Sequence, residues 1–374
     1  MTVLLLFTSQ IHVLAAENQE PAIKSEAAVV LDTENGAVLY SKNPEERLYP
    51  ASLTKIATAI YAIENGKLDD IVTVSKNAAN QEGTRVYLVE GEKVPLKKLI
   101  EGMLVNSGND AAVAVAEHLD GSVGRFAENI NKYLRTNVGV HNTHFTNPNG
   151  LFDPNHYTTA MDLAIITNYA KKNPVFSEIF GTKELSWNGQ SWKTTLFTHH
   201  RMLKGEIPDP GITVTGGKTG FVEESKSTLA TTAENGNIKL TAIILRAVNQ
   251  QVEYDETKEL LDYGFNSYKH TIVNHGEVFK LGNKEFLTPS DTIVTEPIIG
   301  SVKSVNRNGL LSIKNGEGQL VQSVKLDPKI IKKMEPHRTK EKVHYSMDAI
   351  YGMSVLAFAG IILNVRKRFV KKKY

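Results

Sequence analysis

Pro50-Ala51-Ser52-Leu53-Thr54-Lys55-Ile56 opens the first helix-like stretch of this chain. Leu53, Ile56, Ile60 and Ile63 share one face, and the pattern stops near Gly66, so the spacing predicts an amphipathic helix. Residues three apart on a helix lie on one face, which brings the Ser52 hydroxyl and the Lys55 amine together. The plain reading makes Ser52 an N-cap. A capping box, however, wants Glu or Gln at the fourth position, and a lysine there has the wrong sign for the positive end of the helix. That penalty becomes useful if Lys55 is a base. A positive field and partial burial both lower a lysine pKa, and a neutral amine can take the serine proton. Ser52 is the only serine of the chain with a lysine three residues later. The spacing alone is still a weak signal, because chance supplies it in most chains of this length.

Around this helix the pattern is mixed. Ala28 to Tyr40 is two apolar runs about Asn35-Gly36, a hairpin signal. A second hairpin is expected from Ser227–Ala233 and Lys239–Val248 about Glu234-Asn-Gly-Asn237. Between them the chain is mostly helical, with an alanine-rich helix at Ala111–Leu119, and Tyr254–Tyr263 reads as a closing helix. An antiparallel sheet built from both ends therefore encloses an inserted helical region, an α/β plan. From about Val273 to Lys333, short β runs with Gly, Asn and Pro turns predict a small β-rich domain.

Two further short motifs have chemical potential. Ser107-Gly-Asn109 is one of five Ser-x-Asn matches, so the pattern by itself says nothing. It stands out by context, after the apolar run Leu96, Leu99, Ile100, Met103 and before the alanine-rich helix. The plain alternative is a polar turn with Asp110 as N-cap. Lys218-Thr219-Gly220, after Gly216-Gly217, occurs once and precedes a hairpin. Glycine allows a ligand close to the backbone, and lysine and threonine can hold a carboxylate; the alternative is an exposed turn.

The chain has 374 residues, 41% apolar and 22% charged, which suits roughly two globular domains and excludes global disorder. The formal net charge of +2 argues against a nucleic-acid partner. Setting aside Arg366, Lys367, Arg368, Lys371, Lys372 and Lys373 turns it to −4. The absence of cysteine excludes disulfides, thiolate metal sites and a cysteine nucleophile.

The ends point outward from the cytoplasm. Residues 1–16 combine an apolar run with Val13-Leu-Ala-Ala16, a small-residue cleavage pattern. They lack a basic n-region, so the start is read either as a truncated signal peptide or as an apolar tail, and we take the first. Ala349–Val365 carries no charge and is flanked by the basic tail 366–374. That pattern predicts a membrane anchor with a cytoplasmic tail and an extracellular body. The competing reading is a buried or interfacial helix. Residues 335–348 form the expected linker.

Taken together and in this order, Ser-x-x-Lys, Ser-x-Asn and Lys-Thr-Gly form the signature of penicillin-binding proteins and class A β-lactamases. Over about residues 25 to 270 the chain resembles the low-molecular-mass penicillin-binding proteins, the serine-type D-alanyl-D-alanine carboxypeptidase family. The match includes Ala51-Ser-Leu-Thr-Lys-Ile56, Val105-Asn-Ser-Gly-Asn-Asp-Ala111, Phe145-Thr-Asn-Pro-Asn-Gly-Leu151, His156-Tyr-Thr-Thr-Ala160 and Gly217-Lys-Thr-Gly220. The resemblance implies a transpeptidase-like catalytic domain over 22–271, a small β domain over 272–334, and cleavage of D-alanine from peptidoglycan stem peptides. It implies acylation by β-lactams, attachment to the cell membrane, and no cofactor or metal.

Residue by residue, the resemblance makes Ser52 the nucleophile and Lys55 its base. Ser107 becomes the proton shuttle to the leaving nitrogen, with Asn109 holding the substrate amide and Lys55. Lys218 supports Ser107 and, with Thr219, binds the substrate carboxylate beside Gly220. The N–H groups of Ser52 and Phe221 form the oxyanion hole. Arg201, in His199-His-Arg201, aligns loosely with a family arginine near the carboxylate; the paired histidines are read as solvated loop residues rather than metal ligands. Many family members carry threonine two residues after Lys-Thr-Gly and then Ala-Gly, where this chain has Val222, Ser225 and Lys226. The departures bear on substrate scope and β-lactam sensitivity. A catalytically idle wall protein of the same fold and a β-lactamase are the alternatives. The glutamate and asparagine that a class A β-lactamase needs are not evident around Thr143–Gly150.

Overall fold

The computed structural model describes residues 19–329. The expected signal peptide, linker, membrane anchor and the basic tail lie outside the described residues. Among the described residues, no helix is long and apolar enough to cross a membrane.

Both expected hairpins form. Strands Ala27–Asp32 and Val38–Lys42 turn at Asn35-Gly36, and Lys226–Glu234 and Lys239–Ala247 turn at Gly236. Each turn glycine has a positive φ, +74° and +86°. Ala27–Asp32 pairs directly with Lys239–Ala247, so the two ends of this part of the chain close one sheet. Thr213–Val222 adds the edge. The order across the five strands is 38–42, 27–32, 239–247, 226–234, 213–222, antiparallel throughout.

The sheet is covered on both faces, which is why strand Ala27–Asp32 is buried at every position. Val29, Leu31, Ala230, Ile243 and Leu245 face the inserted helices and pack with Leu53, Ile56, Ile60, Leu99 and Phe126. The alternate residues Ala28, Val30, Leu229 and Ile244 pack against Tyr254, Leu260, Leu261 and Phe265 of the closing helix Gln250–Ser267. Period-2 side-chain alternation thus serves two cores from one sheet. The helix that carries Lys55 runs Thr54–Asn65 and ends before Gly66, and Asn109–Asp120 is the alanine-rich helix. Leu96–Val105 precedes it. Small alanines let these three helices lie close together.

After Ser267 the described chain is all strand, from Tyr268–Val273 to Asp327–Pro328, with its own core of Val273, Phe286, Val294, Leu311 and Ile313. It is tied to the first hairpin through buried Asp32. Its carboxylate accepts from the Thr295 hydroxyl at 2.6 Å and lies 2.6 Å from His270 Nε2.

Candidate active site

Ser52 stands on a single tight turn, Ala51–Leu53, that runs straight into the helix Thr54–Asn65. The helical spacing delivers the contact expected of it. Lys55 Nζ lies 2.9 Å from Ser52 Oγ. Lys55 is completely buried, and two other acceptors surround its amine: Asn109 Oδ1 at 2.8 Å and the Asn149 carbonyl at 2.7 Å. Burial, then repulsion from Lys218, pushes the Lys55 pKa well below the ordinary lysine value; Asp110 opposes this.

Asn109 is held as well as holding. Its Nδ2 donates to the Glu82 carbonyl and its N–H to the Thr84 carbonyl, both at 2.7 Å. The helix begins on Gly108, so Asp110 is not the N-cap that the polar-turn reading allowed. Asp110 instead turns inward, and its carboxylate accepts from the N–H groups of Val86, Leu88 and Ala111 at 2.9–3.0 Å. Those bonds pin the 86–88 segment beside the motif. Trp192 Nε1 donates to the Val86 carbonyl from the other side.

Ser107 has φ +62°, a left-handed conformation that is rare for serine. In it the hydroxyl accepts from Lys218 Nζ at 3.0 Å. Lys218 also donates to the Thr219 carbonyl at 2.8 Å. It is buried, and burial alone lowers its pKa from 10.5 to about 7. Lys55 and Lys218 are thus both biased towards the neutral amine, while still close enough to repel.

The strand Thr213–Val222 approaches tightly on both faces. A Cβ on Gly220 would sit 2.9 Å from Ser52 N and 2.4 Å from Thr228 Oγ1. A Cβ on Gly217 would meet His200 Cδ2 at 2.2 Å. Glycine is required there for space rather than for φ. Phe221, next to Gly220, projects outward and is 60% exposed. The following turn holds Val222, Ser225 and Lys226. Ser225 Oγ accepts from Val222 N–H at 3.0 Å, and Lys226 takes φ +53°.

The 199–201 segment holds one departure from expectation, at His200. Arg201 is held by the closing helix and by its own turn. Its guanidinium sits 5.5 Å above the Tyr254 ring and pairs with Glu206 at 3.5 Å, so helix 250–267 engages it. His200 is not a solvated loop residue. It is buried behind Gly217, 2.8 Å from Thr231 Oγ1, and its Nδ1 accepts from Leu203 N–H at 3.1 Å. Burial pulls its pKa down to about 3, so it is a neutral strut under the Lys-Thr-Gly strand. His199 is the exposed member of the pair.

The arrangement therefore brings two contact sets together, Ser52–Lys55–Asn109 and Ser107–Lys218, with Ser107 and Asn109 two residues apart and Lys218 close enough to repel Lys55; Thr219 and Gly220 follow Lys218 on its strand. The Asn149 carbonyl and the Asp110 clamp were missed from the sequence. Neither side-chain identity carries a signal for a backbone acceptor or for an inward rotamer.

A family model described as D-alanyl-D-alanine carboxypeptidase matches residues 14–249. The chain is 34% identical over 292 residues to D-alanyl-D-alanine carboxypeptidase DacF of Bacillus subtilis, covering 75% of this chain and 72% of that one. It is 33% identical to DacA of Haemophilus influenzae, covering 67% of this chain and 64% of the relative. Among solved structures, penicillin binding protein 5 of Haemophilus influenzae superposes with a TM-score of 0.69 at 27% identity, covering 83% of this chain and 98% of that one. DacD of Francisella tularensis gives a TM-score of 0.72 at 23% identity, over 86% and 98%, a likeness of fold.

Proposed function

The chain belongs to the Peptidase S11 family of D-alanyl-D-alanine carboxypeptidases, and from that premise we propose that it removes the terminal D-alanine of peptidoglycan stem pentapeptides through an acyl-enzyme on Ser52. The observation that carries this reading is the environment of Lys55. A charged lysine has three N–H donors and no lone pair. A neutral one has two donors and one lone pair. Here two pure acceptors, Asn109 Oδ1 and the Asn149 carbonyl, take two hydrogens, and the third direction faces Ser52 Oγ. In the neutral form favoured by burial, that direction is the lone pair, ready for the serine proton.

The steps follow. Ser52 Oγ gives its proton to Lys55 and attacks the carbonyl of the penultimate D-alanine. The oxyanion is received by the N–H groups of Ser52 and Phe221. The C–N bond breaks as Ser107 passes a proton to the leaving amine, drawing on Lys218 and Lys55. Lys218 and Thr219 hold the free carboxylate of the departing residue, a charge-assisted contact. Water then cleaves the ester and restores Ser52. A β-lactam enters the same way, but its ring opens and its nitrogen stays tethered.

The apolar run Ala349–Val365 with its basic flank supports attachment to the cell membrane, with the catalytic part outside. A chain ending at His344 then stays in the soluble fraction with full activity, and its recovery with membranes would count against that anchor. For the chemistry, the test is labelling by fluorescent penicillin together with D-alanine release from a synthetic pentapeptide. Wild type does both, and a folded Ser52→Ala variant does neither. Labelling of that variant would overturn the assignment of Ser52. A wild type that neither labels nor releases D-alanine would mark an idle protein of the same fold, and one that turns over penicillin without releasing D-alanine would mark a β-lactamase.

A further inference from the structure

The residue before the nucleophile has an unfavourable backbone. Ala51 takes φ +48°, a left-handed conformation that alanine adopts at a cost. Such a conformation persists only when its surroundings over-determine it, and here those surroundings are visible. The Thr54 hydroxyl donates to the Ala51 carbonyl at 2.8 Å. His156 Nε2 lies 2.8 Å from the same Thr54 Oγ1. The Thr146 N–H donates to His156 Nδ1 at 3.1 Å.

These contacts have only one consistent direction. Nδ1 accepts, so it carries the lone pair and Nε2 carries the hydrogen. The one hydroxyl hydrogen of Thr54 is committed to Ala51, so Thr54 Oγ1 accepts from His156. The relay runs from Thr146 N–H through His156 and Thr54 to the Ala51 carbonyl. His156 and Thr54 are both buried, and the His156 ring stacks on Phe145 at 4.8 Å and 16°. Burial holds the imidazole neutral, with its pKa lowered to about 3, so the direction does not change over the working pH range. The chain at Gly150 packs against the same Ala51–Thr54 pair: a Cβ there would sit 1.9 Å from the Ala51 oxygen and 2.9 Å from Thr54 Oγ1.

The consequence lies one bond further on. The Ala51–Ser52 peptide is planar and trans, so its C=O and N–H point in opposite directions. Locking the Ala51 oxygen on one side aims the Ser52 N–H to the other, towards the strand at Gly220. We propose that His156 and Thr54 are positioning residues for the oxyanion hole, fixing the Ser52 N–H through the Ala51 carbonyl. Neither touches substrate. This inference rests on the reading of Ser52 as nucleophile.

The test compares Thr54→Val, which keeps shape and loses the hydroxyl, with Thr54→Ser, which keeps the hydroxyl. Penicillin acylation rate, kcat and KM for a pentapeptide, and affinity for a boronic-acid analogue of D-alanyl-D-alanine are measured. The boronate places a tetrahedral oxygen in the hole and so reports it directly. Thr54→Val is expected to lower acylation and kcat at least about tenfold, short of the roughly 10²–10³ that outright removal of an oxyanion donor costs, because the donor is misaimed and not lost. Boronate affinity should weaken in parallel, with KM changed less than about threefold. Thr54→Ser should remain within about threefold of wild type on all measures. His156→Leu should match Thr54→Val, the double variant should lose no more than either alone, and the acid limb of the pH–rate profile should stay in place.

A Thr54→Val protein that only melts earlier, yet acylates and binds boronate like wild type, would overturn the proposal. A shifted acid limb in His156→Leu would overturn it too, by making the imidazole a titrating participant. If Thr54→Val does not fold, His156→Gln and His156→Leu decide: glutamine retains a donor and should preserve boronate affinity, and equal loss in both would refute the relay. Failure of the wild type itself to acylate would instead indict the assignment of Ser52.

Discussion

Lys218→Met should make the protein more stable and nearly inactive. The pKa of Lys218 falls from 10.5 to about 7 on burial. At about 1.36 kcal/mol per unit, less a small correction for half-protonation, folding with this lysine at pH 7 costs about 4 kcal/mol. Its hydrogen bonds to Ser107 Oγ and the Thr219 carbonyl return about 1 kcal/mol each. Methionine fills a similar volume without the charge, so the net gain is about 2 kcal/mol. For a domain of this size that raises Tm by about 4–8 °C.

The pH dependence follows from the direction of the shift. Because the folded pKa is the lower one, the unfolded chain binds more protons between about pH 7 and 10.5. The penalty on wild type is therefore full below pH 7, fades as pH rises, and is gone near pH 10.5. The advantage of Lys218→Met should shrink in step and become a small deficit at the top of the range, where only the lost hydrogen bonds remain. Thermal melts of both proteins across pH 6–10, with penicillin acylation measured alongside, give the answer. A variant that melts below wild type at pH 7, or a gap independent of pH, would refute the argument that Lys218 is held in the cleft at the expense of stability, the usual trade at an active site.

Lys55→Arg should abolish penicillin acylation at neutral pH in a folded protein, since arginine stays protonated and has no lone pair for Ser52; a stable label on the variant would show otherwise. Lys218→Ala should lower kcat/KM for a free-acid pentapeptide by one to two orders of magnitude, from the loss of about 1.5–3 kcal/mol of charge-assisted bonding. A C-terminally amidated pentapeptide, already poor with wild type, should lose little more, and equal losses on both substrates would remove Lys218 from carboxylate binding. Asp110→Ala should leave the N–H groups of Val86, Leu88 and Ala111 without their buried acceptor, at about 1–3 kcal/mol. The same change removes the negative charge that raises the Lys55 pKa, so the acid limb of acylation should move to lower pH, and a limb moving upward would contradict the Asp110–Lys55 coupling.

What sequence alone determined here was local. Helical spacing is enough to set Ser52 against Lys55, because three residues of one helix fix that geometry whatever surrounds it. Asn-Gly pairs are enough to mark both hairpins, because φ > 0 at the turn selects those residues. The order of three short motifs is enough to name the family, although each motif alone is weak. Tertiary structure decided everything that depends on burial and on partners distant along the chain. Lys55 becomes a candidate base only when Asn109 and Asn149, 54 and 94 residues away, take two of its hydrogens. His200 looked like half of a solvated pair until the Lys-Thr-Gly strand and helix 250–267 closed over it, and Arg201 was claimed by Tyr254 from that helix. Protonation, desolvation and the direction of a hydrogen bond are properties of a surrounding volume. That volume is assembled from segments whose proximity no short window of sequence encodes.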